Sequence, residues 1–262
     1  MTAPSLNELL DLALAAAREA GELTLRYFQN DPAVEVKPDR SPVTLADRET
    51  EAFLRRRIEQ RFPDHGICGE EGGETRPKSP YRWWLDPIDG TVAFIHGVPL
   101  YSVVVGLEHA GEAIVGVVHC PAVRETIWAR RDGGAWWNDR RARVSEVERL
   151  EEATLLHADR RLFEQTGRGA AWDRLRAACA VERAWGDCYG HLLVATGRAE
   201  IMLDPVLNPW ESCALLVLLE EAGGSFRDWN GNRTFRGDSG VSTNAALCSA
   251  VWRLLREPGQ AL

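Results

Sequence analysis

The chain has 262 residues, 45% hydrophobic and 27% charged, with 31 Lys and Arg against 39 Asp and Glu, for a formal charge of -8. That is ordinary globular composition, long enough for one large domain or two small lobes with a substantial core, and it excludes intrinsic disorder as the main state. The acidic balance lacks the basic footprint of a nucleic-acid binder, and it would repel an anionic substrate unless the site carried its own cations. No apolar run is long enough to span a membrane, and Met1 to Leu10 lacks the basic-then-apolar layout of a signal peptide, so a cytoplasmic protein is expected.

In chain order, Ser5 and Glu8 have the spacing of a capping box, and Leu6, Leu9, Leu10 and Leu14 give a helical stripe that Asp31-Pro32 should end. Val36 to Pro42 is too rich in proline and charge for the core and predicts a surface loop or short hairpin. Thr44 opens a second helix, with Phe53, Leu54, Ile58 and Phe62 at helical spacing before Pro63. The period then changes. Tyr81 to Leu85 predicts a short aromatic strand. Tyr101 to Leu107 and Ile114 to Cys120 are β-branched runs around a hairpin signal, and 126–129 and 134–137 continue an antiparallel meander.

Beyond about residue 150 strands and helices alternate. Strands are expected at 154–156 and 201–203, and helices near 169–180, 189–197, 210–222 and 244–256. The expected architecture is therefore an α+β lobe over 1–150 with an antiparallel sheet and a mixed α/β lobe over 151–262. No Gly-, Ser- or Pro-rich linker separates them, which predicts one compact catalytic unit. Cys68, Cys120, Cys179, Cys188, Cys213 and Cys248 are scattered without metal spacing, and free thiols are expected.

The chemistry concentrates in acids. In Trp83-Trp84-Leu85-Asp86-Pro87-Ile88-Asp89-Gly90-Thr91 an apolar strand runs into a turn holding two carboxylates. Two carboxylates forced together repel unless a cation lies between them, and hard cations such as Mg²⁺ take oxygen ligands. Gly90 and Thr91 can present backbone N–H groups at a helix start, which suits phosphate. Gly69-Glu70-Glu71-Gly72-Gly73 supplies two more acids, and Asn208-Pro209-Trp210-Glu211 places another at a helix start after Asp204. Each signal has a purely structural alternative: solvated turn acids, an Asx turn, or an acid favoured by a helix dipole.

Together these segments resemble the inositol monophosphatase family of Mg²⁺-dependent phosphatases. Leu85 to Thr91 matches its first signature, preceded by Gly69-Glu70-Glu71. Pro209-Trp210-Glu211 with Glu221-Ala222-Gly223-Gly224 is similar to its second, and Lys37 and Thr44 to Asp47 match its N-terminal region. The resemblance implies a layered αβαβα fold, a homodimer, two or three Mg²⁺ per site, and hydrolysis of a phosphate monoester by direct attack of a metal-activated water. Glu70, Asp86 and the Ile88 carbonyl would hold the activating metal. Asp86, Asp89 and Glu211 would hold a second, with Glu70 reaching a third. Gly90 and Thr91 would bind phosphate, and Thr91 and Asp47 would orient and deprotonate the water. The family has Asp where this chain has Glu211, which predicts weaker binding of the second metal.

Within the family, Thr91 to Pro99 and Trp185-Gly186-Asp187-Cys188-Tyr189-Gly190-His191 resemble the histidinol-phosphate phosphatase branch, which acts in histidine biosynthesis. Asp187, Cys188 and Asp204 are then the expected substrate contacts, the two acids offering carboxylates to a cationic head. Asp187 could instead cap the helix after Gly186. An inositol-1-monophosphatase or broad phosphatase is the alternative reading, and a non-catalytic regulatory relative is a second one. Neither nucleic acid nor membrane is an expected partner.

Overall fold

The structure, a computed structural model, describes residues 4–30, 33–38, 42–76 and 78–256. Ser5 and Glu8 close the expected capping box at the head of α1 (Leu6–Leu25). The helix ends earlier than anticipated, in turns that include Gln29 at φ 57°. Asp31-Pro32 lies outside the described residues. A short antiparallel hairpin, β1 (Val34–Val36) with β2 (Pro42–Thr44), leads into α2 (Leu45–Arg61).

The first sheet has eight strands in the order β10-β9-β8-β7-β6-β5-β3-β4. They are β3 (Gly66–Gly69), β4 (Gly73–Thr75), β5 (Tyr81–Asp89), β6 (Ser102–His109), β7 (Glu112–Cys120), β8 (Glu125–Arg130), β9 (Gly134–Trp137) and β10 (Arg140–Arg141), with α3 (Thr91–Ile95) between β5 and β6. The meander from β5 onward is antiparallel, but β3 pairs with β5 in parallel, Gly69 opposite Leu85. This corrects the expectation of a purely antiparallel sheet. The reason is topological: the β3–β4 hairpin returns the chain to the end where β3 began, so β5 must start there too. The consequence is chemical, because Glu70, just past β3, emerges at the same end of the sheet as Asp86.

Side chains alternate across this sheet with period two. Trp83, Leu85, Val103, Val105 and Val117 pack under α1 and α2, while Trp84, Val104, Val118 and Ile127 face the middle of the molecule. Gly106 and Gly116 are cross-strand partners on that middle face. A Cβ at Gly116 would lie 2.4 Å from the Ala214 carbonyl oxygen, and one at Gly106 2.9 Å from Cys213 Sγ. The pair makes a trough in which a helix backbone rests directly on the sheet.

The second sheet runs β12-β11-β13-β15-β14, built from β11 (Thr154–His157), β12 (Val181–Arg183), β13 (Ile201–Asp204), β14 (Ser225–Arg227) and β15 (Gly240–Thr243). Its first three strands are parallel and the rest antiparallel. α6 (Asp187–Ala195) and α7 (Pro209–Glu221) lie between the sheets, and α4 (Arg160–Gln165), α5 (Gly169–Ala178) and α8 (Cys248–Leu255) cover the outer face. The fold is thus five layers, α/β/α/β/α. α8 starts later than the expected 244 because buried Asn244 is used otherwise: its amide donates to Val147 O at 2.8 Å and its carbonyl accepts the Leu247 N–H at 2.9 Å. Among the described residues no helix is long and apolar enough to cross a membrane.

Candidate active site

The acids at the end of β5 owe their placement to a bulge. Asp86 pairs with Val104 and Asp89 with Ser102, so three steps on β5 oppose two on β6. In a regular strand residues three apart face opposite sides; one extra residue restores them to the same side. Asp86 Oδ1 accepts the Ile88 N–H at 3.0 Å, closing the Asx turn around Pro87. Asp89 Oδ2 accepts the Ser102 hydroxyl at 2.7 Å and the Cys188 N–H at 2.9 Å. Glu211 folds back on the start of α7, where Oε2 accepts the Asn208 N–H at 2.6 Å, one half of a capping box. That fold-back absorbs the extra methylene.

One carboxylate oxygen each from Asp86, Asp89 and Glu211 lies within 4.8 Å of the others. Burial pushes all three carboxyls above their usual range; neighbouring acids add to it, Glu70, Asp89 and Glu211 for Asp86 and Asp89 for Glu211, while at Asp89 the Ser102 and Cys188 hydrogen bonds pull the other way. For each, the chain engages one oxygen and leaves a second. An all-oxygen donor set under mutual repulsion fits a hard divalent cation such as Mg²⁺ or Mn²⁺.

Glu70 stands beside this trio. Its N–H donates to Leu85 O at 3.1 Å, and its carboxylate meets Lys37 Nζ at 2.7 Å. Burial raises Glu70 to about 7 against the pull of Lys37. Burial also works to lower Lys37, but its hydrogen bonds to Glu70 and Glu71 outweigh that and hold it charged. The Glu70 loop is tied down by buried Glu51, which accepts the Glu71 and Gly72 N–H groups at 2.7 and 2.8 Å and pairs with Arg55. Glu51 is not among the acids that the sequence pattern singles out; its signal is the four-residue step from Asp47 along one face of α2. Asp47 Oδ2 accepts the Thr44 N–H and hydroxyl at 2.7 and 2.6 Å, while Oδ1 is buried without a partner among the described residues. Burial raises the Asp47 carboxyl, and the Thr44 hydrogen bonds partly offset this. A buried carboxylate oxygen left without a donor keeps its acceptor lone pairs unused.

Gly90 takes φ 80°, ψ 40° at the head of α3, and the Thr91 hydroxyl donates to Ile88 O at 3.0 Å. Gly90 also has no room for a side chain, since a Cβ would sit 3.0 Å from Asp187 Oδ2. Asp187 therefore lies directly against the turn that should carry phosphate. It is the first residue of α6 at φ 56°, Gly186 is the cap, and no side-chain capping bond forms. Burial, then Asp89 and Asp204, raise the Asp187 carboxyl well above its usual range. Asp204, at the end of β13, is buried and bonded to His191 Nε2 at 2.9 Å. Cys188 contributes its backbone N–H to Asp89, and its thiol, pushed up by burial, packs in the central core.

This geometry can be set beside known proteins. The model of the inositol monophosphatase family matches residues 5–256. The chain belongs to that family. It is accordingly a phosphatase. It is 41% identical over 240 residues to a histidinol-phosphatase of Chlorobaculum parvum, covering 91% of this chain and 93% of the relative. A histidinol-phosphatase of Mycobacterium tuberculosis is 36% identical over 248 residues, covering 92% and 95%. Among solved structures, the extragenic suppressor protein suhB of Bartonella henselae superposes with a TM-score of 0.88 at 28% identity, covering 96% of this chain and 99% of that one.

Proposed function

We propose that this phosphatase hydrolyses L-histidinol phosphate to L-histidinol and phosphate, using Mg²⁺ held by Glu70, Asp86, the Ile88 carbonyl, Asp89 and Glu211. The observation that carries the substrate is Asp187: a half-buried carboxylate against the Gly90 turn, with Asp204 as its acidic neighbour. Two acids beside the phosphate site suit a substrate whose head carries an ammonium and an imidazole, and disfavour nothing so much as a second anion. The names of the two relatives agree with this reading.

Bound Mg²⁺ would stabilise charge on the phosphoryl oxygens and favour ionisation of the attacking water. The chain's own residues do the rest. Gly90 and Thr91 offer backbone N–H groups to the phosphate. Thr91, whose hydroxyl hydrogen is given to Ile88 O, keeps its lone pairs for the attacking water. Asp47 Oδ1 takes that water's proton as its oxygen bonds phosphorus; the ester P–O bond breaks with its electron pair on the leaving oxygen, which takes a proton from a solvent water to become the alcohol. Asp187 and Asp204 orient the departing alcohol through its cationic head. Cys188 supports Asp89 through its N–H. All six cysteines are free, in keeping with a reducing cytoplasm. The homodimer is carried over from the family resemblance, and light scattering tests it.

The decisive comparison is kcat/KM with Mg²⁺ for L-histidinol phosphate and myo-inositol 1-phosphate. A preference of about a hundredfold for the former, ~2.7 kcal/mol of differential transition-state binding, is expected. A flat or reversed ratio removes the substrate assignment and favours the inositol phosphate reading.

A further inference from the structure

Behind Asp204 the fold places two side chains that the chemistry above does not use. His191 on α6 and Ser242 on β15 are both fully buried. His191 Nε2 lies 2.9 Å from Asp204 Oδ2, and Nδ1 lies 2.7 Å from Ser242 Oγ. The Phe226 ring flanks the imidazole at 6.0 Å between centroids. β13 and β15 are antiparallel neighbours, with Met202 opposite Ser242 and Asp204 opposite Gly240. The imidazole thus spans two strands from a helix in the middle layer.

The chemistry of the donors orders the protons. A carboxylate only accepts, so Nε2 carries the hydrogen directed at Asp204. In the neutral ring Nδ1 is then the acceptor, and the Ser242 hydroxyl donates to it. Among the described residues, His191 is the donor that holds Asp204, and Oδ1 of that acid is left for something else. This matters because Asp187 and Asp204 repel each other. An unanchored Asp204 would turn away from its neighbour, and the two carboxylates would no longer converge on one cation.

We infer that His191, backed by Ser242, is a positioning residue that fixes Asp204 for a cationic substrate head and so sets the preference for positively charged phosphate monoesters over neutral ones. The inference rests on the substrate reading above and adds the device that enforces it. His191 does not touch the reacting atoms; it acts through Asp204.

The test measures KM and kcat at saturating Mg²⁺ for L-histidinol phosphate and for glycerol 2-phosphate, whose head is neutral. His191→Phe should raise KM for histidinol phosphate about tenfold, the scale of one hydrogen bond to a charged group, while KM for glycerol 2-phosphate and kcat on either substrate move less than about twofold. His191→Gln, whose amide N–H reaches towards the place of Nε2, should retain most of the preference. Combining His191→Phe with Asp204→Asn should add nothing to Asp204→Asn alone, since both remove one interaction. Should His191→Phe fail to fold, Ser242→Ala reads the same contact through its smaller loss, about threefold in the same KM. Equal losses on both substrates would mark a structural role and overturn the inference, as would effects that multiply in the double variant. A wild type with no preference sinks the substrate reading and this inference with it. A wild-type preference that survives His191→Phe or Ser242→Ala sinks the inference alone.

Discussion

The acids at the end of β5 and the head of α7 and those at the head of α6 and the end of β13 are each buried or half-buried but held differently. Asp86, Asp89 and Glu211 each give one oxygen to the chain, through N–H groups or the Ser102 hydroxyl, and bring an oxygen each within 4.8 Å of the others. Asp204 is held by an imidazole, and the Asp187 carboxylate has no hydrogen-bond partner among the described residues. Convergent oxygens on rigid backbone suit an ion that demands near-octahedral geometry. Two acids set apart on different elements suit a larger organic cation whose charge is spread over several atoms. Under the proposed function the same residue type serves two recognition problems, and what separates them is the anchoring.

The sharpest break of this comparison is Asp86→Asn or Asp89→Asn. Either should lower kcat/KM by about a thousandfold or more for every phosphate ester, the scale of a group acting on developing transition-state charge. A loss confined to histidinol phosphate would show that the two acid groups had been assigned the wrong way round. Asp187→Asn should act on the other side only, raising KM for histidinol phosphate about tenfold and leaving a neutral ester nearly untouched. Equal effects on both would remove the charge-recognition argument. Glu211→Asp should lower the Mg²⁺ concentration for half-activation by about threefold, because the shorter acid gives up the helix cap but matches octahedral geometry with less folding back. An unchanged titration would mean that the capping contact already sets the longer side chain correctly.

The smallest effect is thermal. Glu70, raised from 4.5 to about 7, and Asp86 and Glu211, raised by burial and mutual repulsion, bind protons more readily folded than unfolded. Their ionisation therefore destabilises the metal-free protein as pH rises through 4.5 and on to 7, and a divalent cation removes that penalty. His65 and His119, pushed down to about 4 by burial, act in the opposite sense between 6.5 and 4. The difference in Tm with and without Mg²⁺ isolates the acids. It should grow by a few degrees from pH 5 to pH 8, at about 2–4 °C per kcal/mol for a chain of this size. A constant difference would mean the acids are not repelling one another.

The run from Asp86 to Thr91 was legible because the turn, its two acids and the helix start are contiguous, and the family resemblance extended the reading to Asp47, Glu70 and Glu211. What stayed hidden depends on pairing. Ser102 meets Asp89 only through the bulge, and no local pattern announces one. The parallel course of β3 follows from the order of strands in the sheet, while its four residues read equally well in either direction. His191 and Ser242 are 51 residues apart, and each by itself looks like core. The boundaries missed at α1 and α8 share a cause: turns and a buried Asn244 side chain replaced helix where periodicity alone would have continued it.

Gly106 and Gly116 carry no chemistry, yet the position of Glu211, a proposed metal ligand, depends on them. α7 carries Glu211 in its first turn and beds its backbone on these two residues. A methyl group at 116 would stand 2.4 Å from the Ala214 carbonyl oxygen, so the helix would have to lift by about 1 Å, a displacement large enough to cost about a hundredfold in rate when it reaches reacting groups. In this fold two missing side chains, on strands far from any ligand in sequence, set the height of the active site.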